Sequence, residues 1–481
     1  MADALTPHTA PIPQTPRVHF SGIGGMAMVA GARLALEAGW TVRGSDNALY
    51  PPASHMVAGL GVPVAAGYAA ENLDWQPDRV IIGNALSRGN PEVEAALMQR
   101  MHYMSLPEWL KEHVLRARRP VAVCGTHGKT TTTALTAYLL DRCGLTPGFL
   151  IGGQPLDFPH PARLGPAGAP FVIEGDEYDT AFFDKRAKFF HYLPEIAVVT
   201  SVEFDHGDIY RDLDEIVLAF QRMLRQVPRT GWLVACADNA AAGLAAHAYG
   251  PVATYGFSAG ADWQGQALGM EDGLTRLRVV HGGKPWAELR VPLAGPHNLQ
   301  NVLAAVAVAG ILGAPAAAVA EALARFQGVR RRMEVFLETP GRLYVDDFAH
   351  HPTAIRGTIA AARARWPGRS LRVLFEPRSN TTVTNRFHAE LTEALAGADE
   401  VWLGPIHRAA RIPEPERLDR AQLVAALRER GVVAGYDDDV EALVAAVLEA
   451  PPRGEVVLIL SNGAFGGIYA HFRDAAGADT L

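Results

Sequence analysis

An apolar run, Val121-Ala-Val-Cys124, leads directly into Gly125-Thr-His-Gly-Lys-Thr-Thr131 and then into a stretch that ends near Gly144. Four apolar residues stopped by a glycine read as a buried strand, and Thr130–Leu140 reads as a helix. A glycine-bounded turn between the two aims backbone N–H groups, a helix N-terminus and the Lys129 ammonium at one point. That is a cradle for phosphate. Thr130, next after the lysine, is placed to put its hydroxyl on a magnesium ion. The spacing is shorter than G-x-x-x-x-G-K-[ST], because Val123 sits where the first glycine would be. A plain glycine turn carrying a solvated lysine leaves this arrangement unexplained.

The rest of the chain repeats the strand–helix alternation. At 481 residues it is long enough for about three domains. Residues 1–16 hold Pro11, Pro13 and Pro16 without an apolar core, and read as a loose tail rather than a signal peptide. Residues 17–116 begin with a strand at Val18–Ser21, a helix over Met26–Ala38 and a strand at Thr41–Arg43. Residues 117–328 run from the phosphate loop to an alanine-rich segment, with a hairpin of Leu274–Val280 and Trp286–Val291 around His281-Gly-Gly-Lys284. Residues 329–481 alternate again: Leu343–Asp346, a helix over Thr353–Arg365, Leu371–Phe375, Val401–Leu403 and Val456–Leu460. All three blocks are expected to be α/β. Leu303–Ala320 is free of charge, but Gly310, Gly313 and Pro315 interrupt it, so two packed helices are expected and no membrane span. A net charge of −7 without a basic run argues against nucleic acid as a partner. Cys124, Cys143 and Cys236 lack C-x-x-C spacing and fit a reduced, cytoplasmic setting. The sequence sets no oligomeric state.

In the first block, Gly22-Ile-Gly-Gly25 follows a strand and opens a helix, with Asp46 about twenty residues on. Gly22-x-Gly24-x-x-Ala27 fits a nicotinamide dinucleotide, a UDP-sugar or an unliganded tight turn. The chemistry requires only a diphosphate on a helix N-terminus and an acid in reach of a sugar. In the second block, Glu174 and Glu203-Phe-Asp-His206 each follow an apolar run. In a parallel sheet both would reach the edge that carries the phosphate loop, where Glu174 and His206 are candidates to hold metal. Further on, Gly295-Pro-His297-Asn298-Leu-Gln-Asn301 opens the alanine-rich helix, with Asn298 a candidate cap. Arg330-Arg-Arg332-Met-Glu334 and Asp346-Asp347-Phe-Ala-His350 stand at the join of the second and third blocks. There they can close over a bound triphosphate.

These segments, in this order, resemble the Mur ligase family of peptidoglycan synthesis, and the resemblance covers nearly all of the chain after Pro16. It implies a three-domain α/β Mur ligase architecture. The expected parts are a Rossmann-like UDP-binding domain, a central P-loop ATPase domain and a Rossmann-like C-terminal domain that binds peptide. It further implies an ATP-dependent amide ligase using Mg2+, with a carboxylate activated as an acyl phosphate. Lys129, Glu174 and His206 are the expected catalytic residues, and Thr130, Glu174 and His206 the expected metal ligands. ATP is expected on Gly125, Thr126, His127, Gly128, Lys129, Thr130 and Thr131, together with His297, Asn298, Asn301, Arg332 and Asp347. The UDP-sugar is expected on Gly22, Ile23, Gly24, Gly25, Asp46 and Asn84. The branch resembled takes UDP-N-acetylmuramate. Ile82–Ala85, Arg88–Pro91, Tyr178–Asp184, Phe375–Asn380 and Ser461–Gly467 look like the members that add L-alanyl-γ-D-glutamyl-meso-diaminopimelate, with L-alanine as the alternative amine. Arg378, Ser379 and Asn380 are the expected peptide contacts, Arg378 projecting from the carboxyl edge of the third block. Two departures stand out. Ser201 replaces a frequent asparagine, and no lysine lies between Lys188 and Lys284 to carry the carbamate that several relatives use. A phosphotransferase and an ATP-binding switch remain as rival readings of the residues.

Overall fold

The computed structural model describes residues 15–50, 53–204 and 209–477. The sequence-predicted His206 lies outside them. The first block is a five-stranded parallel sheet, ordered Val64–Ala66, Thr41–Asp46, Arg17–Ser21, Arg79–Ile82, Tyr103–Met104. Its central strand splits by period two. Val18 and Phe20 enter the apolar core, with Phe20 edge-on to Trp109, whereas His19 and Ser21 turn to the other face. There the fully buried Glu92 accepts hydrogen bonds from Ser21 (2.5 Å), Ser45 (2.7 Å) and Asn72 (2.6 Å). Burial alone would raise its pKa, but these donors and His19 outweigh that and lower it.

The second sheet has ten strands. Its parallel centre places Arg119–Cys124 between Ile196–Val199 and Pro170–Gly175, so that Cys124 pairs with both Val199 and Gly175. The three strand ends expected to share an edge therefore do so. Strands buried on both faces need no alternation, which is why Val121–Cys124 is apolar throughout. The helix after it, Lys129–Arg142, packs on Pro296–Ile311, and Thr132 donates to Asn301 between them at 3.1 Å. The alanine-rich stretch divides into Pro296–Ile311 and Ala316–Leu323, with the break at Gly313-Ala-Pro315. Leu303–Ala309 is fully buried, which accounts for its lack of charge. Among the described residues, no helix is long and apolar enough to cross a membrane.

The third sheet is ordered Glu334–Thr339, Arg342–Asp347, Glu455–Leu460, Leu371–Phe375, Glu400–Leu403, Val433–Tyr436, all parallel except the first. That antiparallel edge strand was not apparent in the sequence, because it opens in the charge cluster at Arg330–Glu334. One continuous apolar core joins the first two blocks, while the third sheet has its own cluster on each face. The change of core falls between Val329 and Met333. Arg331 (φ 61°) and Met333 (φ 53°) are both left-handed there, a strained joint costing about 1–3 kcal/mol per residue. Arg331 secures it through Asp346 at 3.0 Å and the Ser461 carbonyl at 2.7 Å.

Candidate active site

The phosphate loop is held open by its neighbours. Gly125 (φ 125°) and Gly128 (φ 80°) take conformations that side-chained residues avoid. Ser201 anchors the turn: its carbonyl accepts from Thr126 N–H at 3.0 Å, and its hydroxyl accepts from His127 N–H at 2.9 Å. Serine thus serves here as a loop tether, whatever asparagine does in relatives. Gly128 begins Lys129–Arg142 without a side-chain cap, leaving the first N–H groups of the helix facing the turn.

Lys129 is largely buried rather than solvent-facing. Its side chain is 13% exposed, and its ammonium lies 2.9 Å from Glu177, which is 3% exposed. It also donates to the Gly125 carbonyl at 2.8 Å. Burial disfavours its charge, but Glu177, Asp176 and Glu174 outweigh that and hold its pKa above the ordinary lysine range. Beside it, Glu174 accepts from the Thr130 hydroxyl at 3.1 Å and from Gly152 N–H at 2.9 Å. Burial and then Asp176 raise the Glu174 pKa. A hydroxyl and a carboxylate oxygen meeting at one point form a donor set suited to a hard cation such as Mg2+.

Residues of the second and third blocks meet above the loop. Arg332 donates to the Thr130 hydroxyl at 3.2 Å and lies over Phe348 at 4.9 Å. His127, Gly128, Thr130, Thr131, His297, Asn298, Asn301, Arg332 and Asp347 all line one cavity of about 260 Å³; Gly125, Thr126 and Lys129 are not part of its lining. Asn298 does not cap the alanine-rich helix. Gly295 holds the cap position, and Asn298 donates to the Ala294 carbonyl at 2.9 Å from within the first turn. Asp347 is a buried bracket at the joint, accepting from Met333 N–H at 2.8 Å and Ala349 N–H at 2.9 Å. Burial lowers the His297 pKa, with Asp347 opposing the shift.

In the first block, Gly22 and Ile23 donate their N–H groups to the Ser45 carbonyl, and Gly25 opens Met26–Glu37 without a side-chain cap. Asp46 accepts from Gly24 N–H at 2.8 Å through one carboxylate oxygen and so shapes the turn. Burial and Asp46 push the nearby Tyr68 hydroxyl up to about 12. Asn84 donates to Asp179 at 3.3 Å, so it joins the first block to the second. In the third block, Arg378 stands just past Leu371–Phe375 as expected. It is held by Glu376 and His407, each 3.2 Å away. It lies outside the lining of the cavity. Ser379 donates to the His350 carbonyl at 3.3 Å, and Asn380 is exposed.

The sequence reading missed Thr200, Asp238, Asn239 and Thr353 as lining, and gave Glu203 no role of its own. Glu203 lies 3.3 Å from His127 and accepts from the Thr353 hydroxyl at 2.7 Å. Burial would raise its pKa, but His127, Thr353 and His351 bring it down to about 2. The signal available was the doubled His350-His351 just past the strand Arg342–Asp347.

Comparison with known proteins follows the same three blocks. The family model "Mur ligase family, catalytic domain" matches residues 17–118, "Mur ligase middle domain" residues 123–309 and "Mur ligase, glutamate ligase domain" residues 331–463. The UDP-N-acetylmuramate–L-alanyl-γ-D-glutamyl-meso-2,6-diaminoheptandioate ligase of Escherichia coli is 40% identical over 95% of this chain and 98% of its own. The UDP-N-acetylmuramate–L-alanine ligase of Halorhodospira halophila is 37% identical over 94% and 92%. Among solved structures, the murein peptide ligase of Psychrobacter arcticus has a TM-score of 0.71 at 33% identity, covering 97% of this chain and 100% of its own. With 40% identity sustained across nearly its whole length and all three models matched in order, this chain belongs to the Mur ligase family.

Proposed function

We propose that this chain joins UDP-N-acetylmuramate to L-alanyl-γ-D-glutamyl-meso-diaminopimelate, forming an amide at the expense of ATP in peptidoglycan recycling. The observation that carries the choice of amine is the 40% and 38% identity, over 95% of the chain, to ligases named for that tripeptide. Two segments that looked like the tripeptide ligases, Phe375–Asn380 and Ser461–Gly467, lie side by side at the carboxyl edge of the third sheet. Ser461 donates to Glu376, and Gly463 packs against Arg378 so closely that a Cβ there would lie 2.1 Å from its Nε. In this reading residues 17–116 hold the UDP-sugar, 117–328 ATP and 329–481 the peptide, and the enzyme is cytoplasmic, where ATP and reduced thiols are found.

A carboxylate does not react with an amine at neutral pH. The lactoyl carboxylate oxygen therefore attacks the γ-phosphorus, ADP leaves and an acyl phosphate forms. The amine then attacks the acyl carbon, loses a proton, and phosphate departs. Phosphoryl transfer is governed by positioning and charge neutralisation. Lys129 and the uncapped N–H groups after Gly128 supply both at the loop, and Arg332 brings a second cation from the third block. Thr130 and Glu174 would hold Mg2+, which neutralises phosphate charge when bound. Separate cores for the third block and the rest, joined by a strained turn and polar contacts, favour closure around the substrates.

The test is to supply ATP, Mg2+ and UDP-N-acetylmuramate with either L-alanine or the tripeptide and weigh the products. Amide and free phosphate with the tripeptide are expected. Product with L-alanine alone would transfer the chain to the other branch, and a phosphorylated acceptor without amide would make it a phosphotransferase. A companion prediction concerns Arg378, whose planar fork suits a peptide carboxylate. Arg378→Lys is expected to raise KM for the tripeptide by more than about tenfold, the loss of one charge-assisted hydrogen bond. KM for ATP should stay within about twofold, since Arg378 lies outside the cavity lining. Equal shifts in both constants would instead mean a general folding defect.

A further inference from the structure

We propose that His127, Glu203 and His351 form a cation site separate from Thr130 and Glu174, suited to Zn2+ or a similar borderline metal, which ties the third block to the phosphate loop. One ligand atom from each of the three lies within 4.8 Å of the others. His127 Nε2 is 3.3 Å and His351 Nδ1 4.0 Å from the same carboxylate oxygen, Glu203 Oε2. Ligands about 2.0 Å from a tetrahedral zinc stand roughly 3.3 Å apart, so the first pair already has the spacing and His351 needs a small turn. The two imidazole rings face each other at 4.8 Å, 39° from parallel, with the carboxylate beside them. Two nitrogens and one carboxylate oxygen select zinc-like ions over Mg2+, which prefers oxygen throughout.

The surroundings suit a built site. His351 is buried and His127 and Glu203 are half-buried. The Thr353 hydroxyl donates at 2.7 Å to the same oxygen, Glu203 Oε2, and holds the carboxylate toward the two imidazoles. His351 is also the cap of Pro352–Arg365, its Nδ1 accepting from Thr353 N–H at a long 3.3 Å, a bond that a cation on that nitrogen would displace. His127 and Glu203 come from the second block and His351 from the third. A bound ion would therefore hold the two together whether or not substrates are present.

The test uses the full chain with Co2+ as the probe, in the absence of nucleotide, reading the visible d–d band and its displacement by Zn2+. One saturable Co2+ per chain in a nitrogen-containing site is expected. His351→Asn keeps an oxygen acceptor at the helix cap and so preserves the fold. It is expected to lose the band and bind at least roughly tenfold more weakly. His127→Asn, in a different segment, should do the same, whereas Glu174→Gln should retain the band. A band that survives both asparagine variants, a band lost in Glu174→Gln, or no saturable Co2+ binding by the parent would overturn the proposal. No substrate enters the measurement, so its outcome is independent of the amine that the enzyme uses.

Discussion

A Lys129→Ala protein is expected to lose ligation by roughly 10³-fold or more, the scale seen when a preorganised donor to developing charge is removed. The same substitution is expected to lower stability, which sequence reasoning did not anticipate. The ammonium sits 2.9 Å from the buried Glu177 carboxylate and 4.0 Å from Asp176. Removing one member of a buried pair costs roughly 3–5 kcal/mol, because the remaining charge stays desolvated. Lys129 is a cation whose pKa is raised on folding. Its contribution to stability is therefore complete below the unfolded lysine pKa and lost only as pH rises through the higher folded value. The stability difference between parent and variant should then be flat from neutral to mildly alkaline pH. A second substitution separates the two effects. Glu177→Gln placed in the Lys129→Ala background is expected to restore much of the melting temperature and none of the turnover. Recovery of turnover in the double variant would remove Lys129 from the chemistry and leave it a structural role only.

How much of this was legible in the sequence depended on how local the determinants are. The phosphate loop is a strand, a turn and a helix within 24 consecutive residues, Arg119–Arg142, and each part carries its own signal. Glu174 was legible for the same reason: it ends a strand, and strand order in a parallel sheet brings it to the loop. The partners of Lys129 were not, because Glu177 lies two residues past the strand Pro170–Gly175, in an irregular stretch where side-chain direction has no periodicity. Asp46 is a different case. Its distance from the glycine turn matched a sugar ligand, yet the nearest donor in the folded chain is Gly24 N–H. Spacing fixed the neighbourhood and left the partner open. His351 and Glu203 are further still from sequence reasoning, since their meeting depends on how the third block sits on the second. The edge strand Glu334–Thr339 has no clean alternation, its exposure running half-buried and exposed by turns, so neither template fits it.

Gly125→Ala is expected to reduce turnover by about 10²-fold while the protein still folds, a loss typical of an ångström-scale misplacement of catalytic groups. The φ of 125° alone would cost a side-chained residue about 1–3 kcal/mol. The larger difficulty is space. A Cβ at Gly125 would lie 2.3 Å from the Thr200 hydroxyl, 2.8 Å from the Ser201 nitrogen and 2.9 Å from its carbonyl oxygen. Two of these contacts are backbone, at the end of Ile196–Val199, and cannot swing aside as a flexible side chain would. Thr200 and Ser201 also hold the turn, through the His127 carbonyl at 2.5 Å and Thr126 N–H at 3.0 Å. The loop must therefore move off the sheet edge, and the N–H groups that would meet phosphate move with it. Gly39→Ala isolates the backbone contribution. Gly39 has a φ of 84° and nothing within 4 Å of its would-be Cβ, and it lies just past Met26–Glu37, away from the loop. It is expected to lose about 1–2 kcal/mol of stability and no turnover. Measuring melting temperature and kcat on both variants distinguishes strain from displacement. A Gly125→Ala enzyme that lost stability like Gly39→Ala but kept the parent kcat would show that this loop does not position the reacting phosphate.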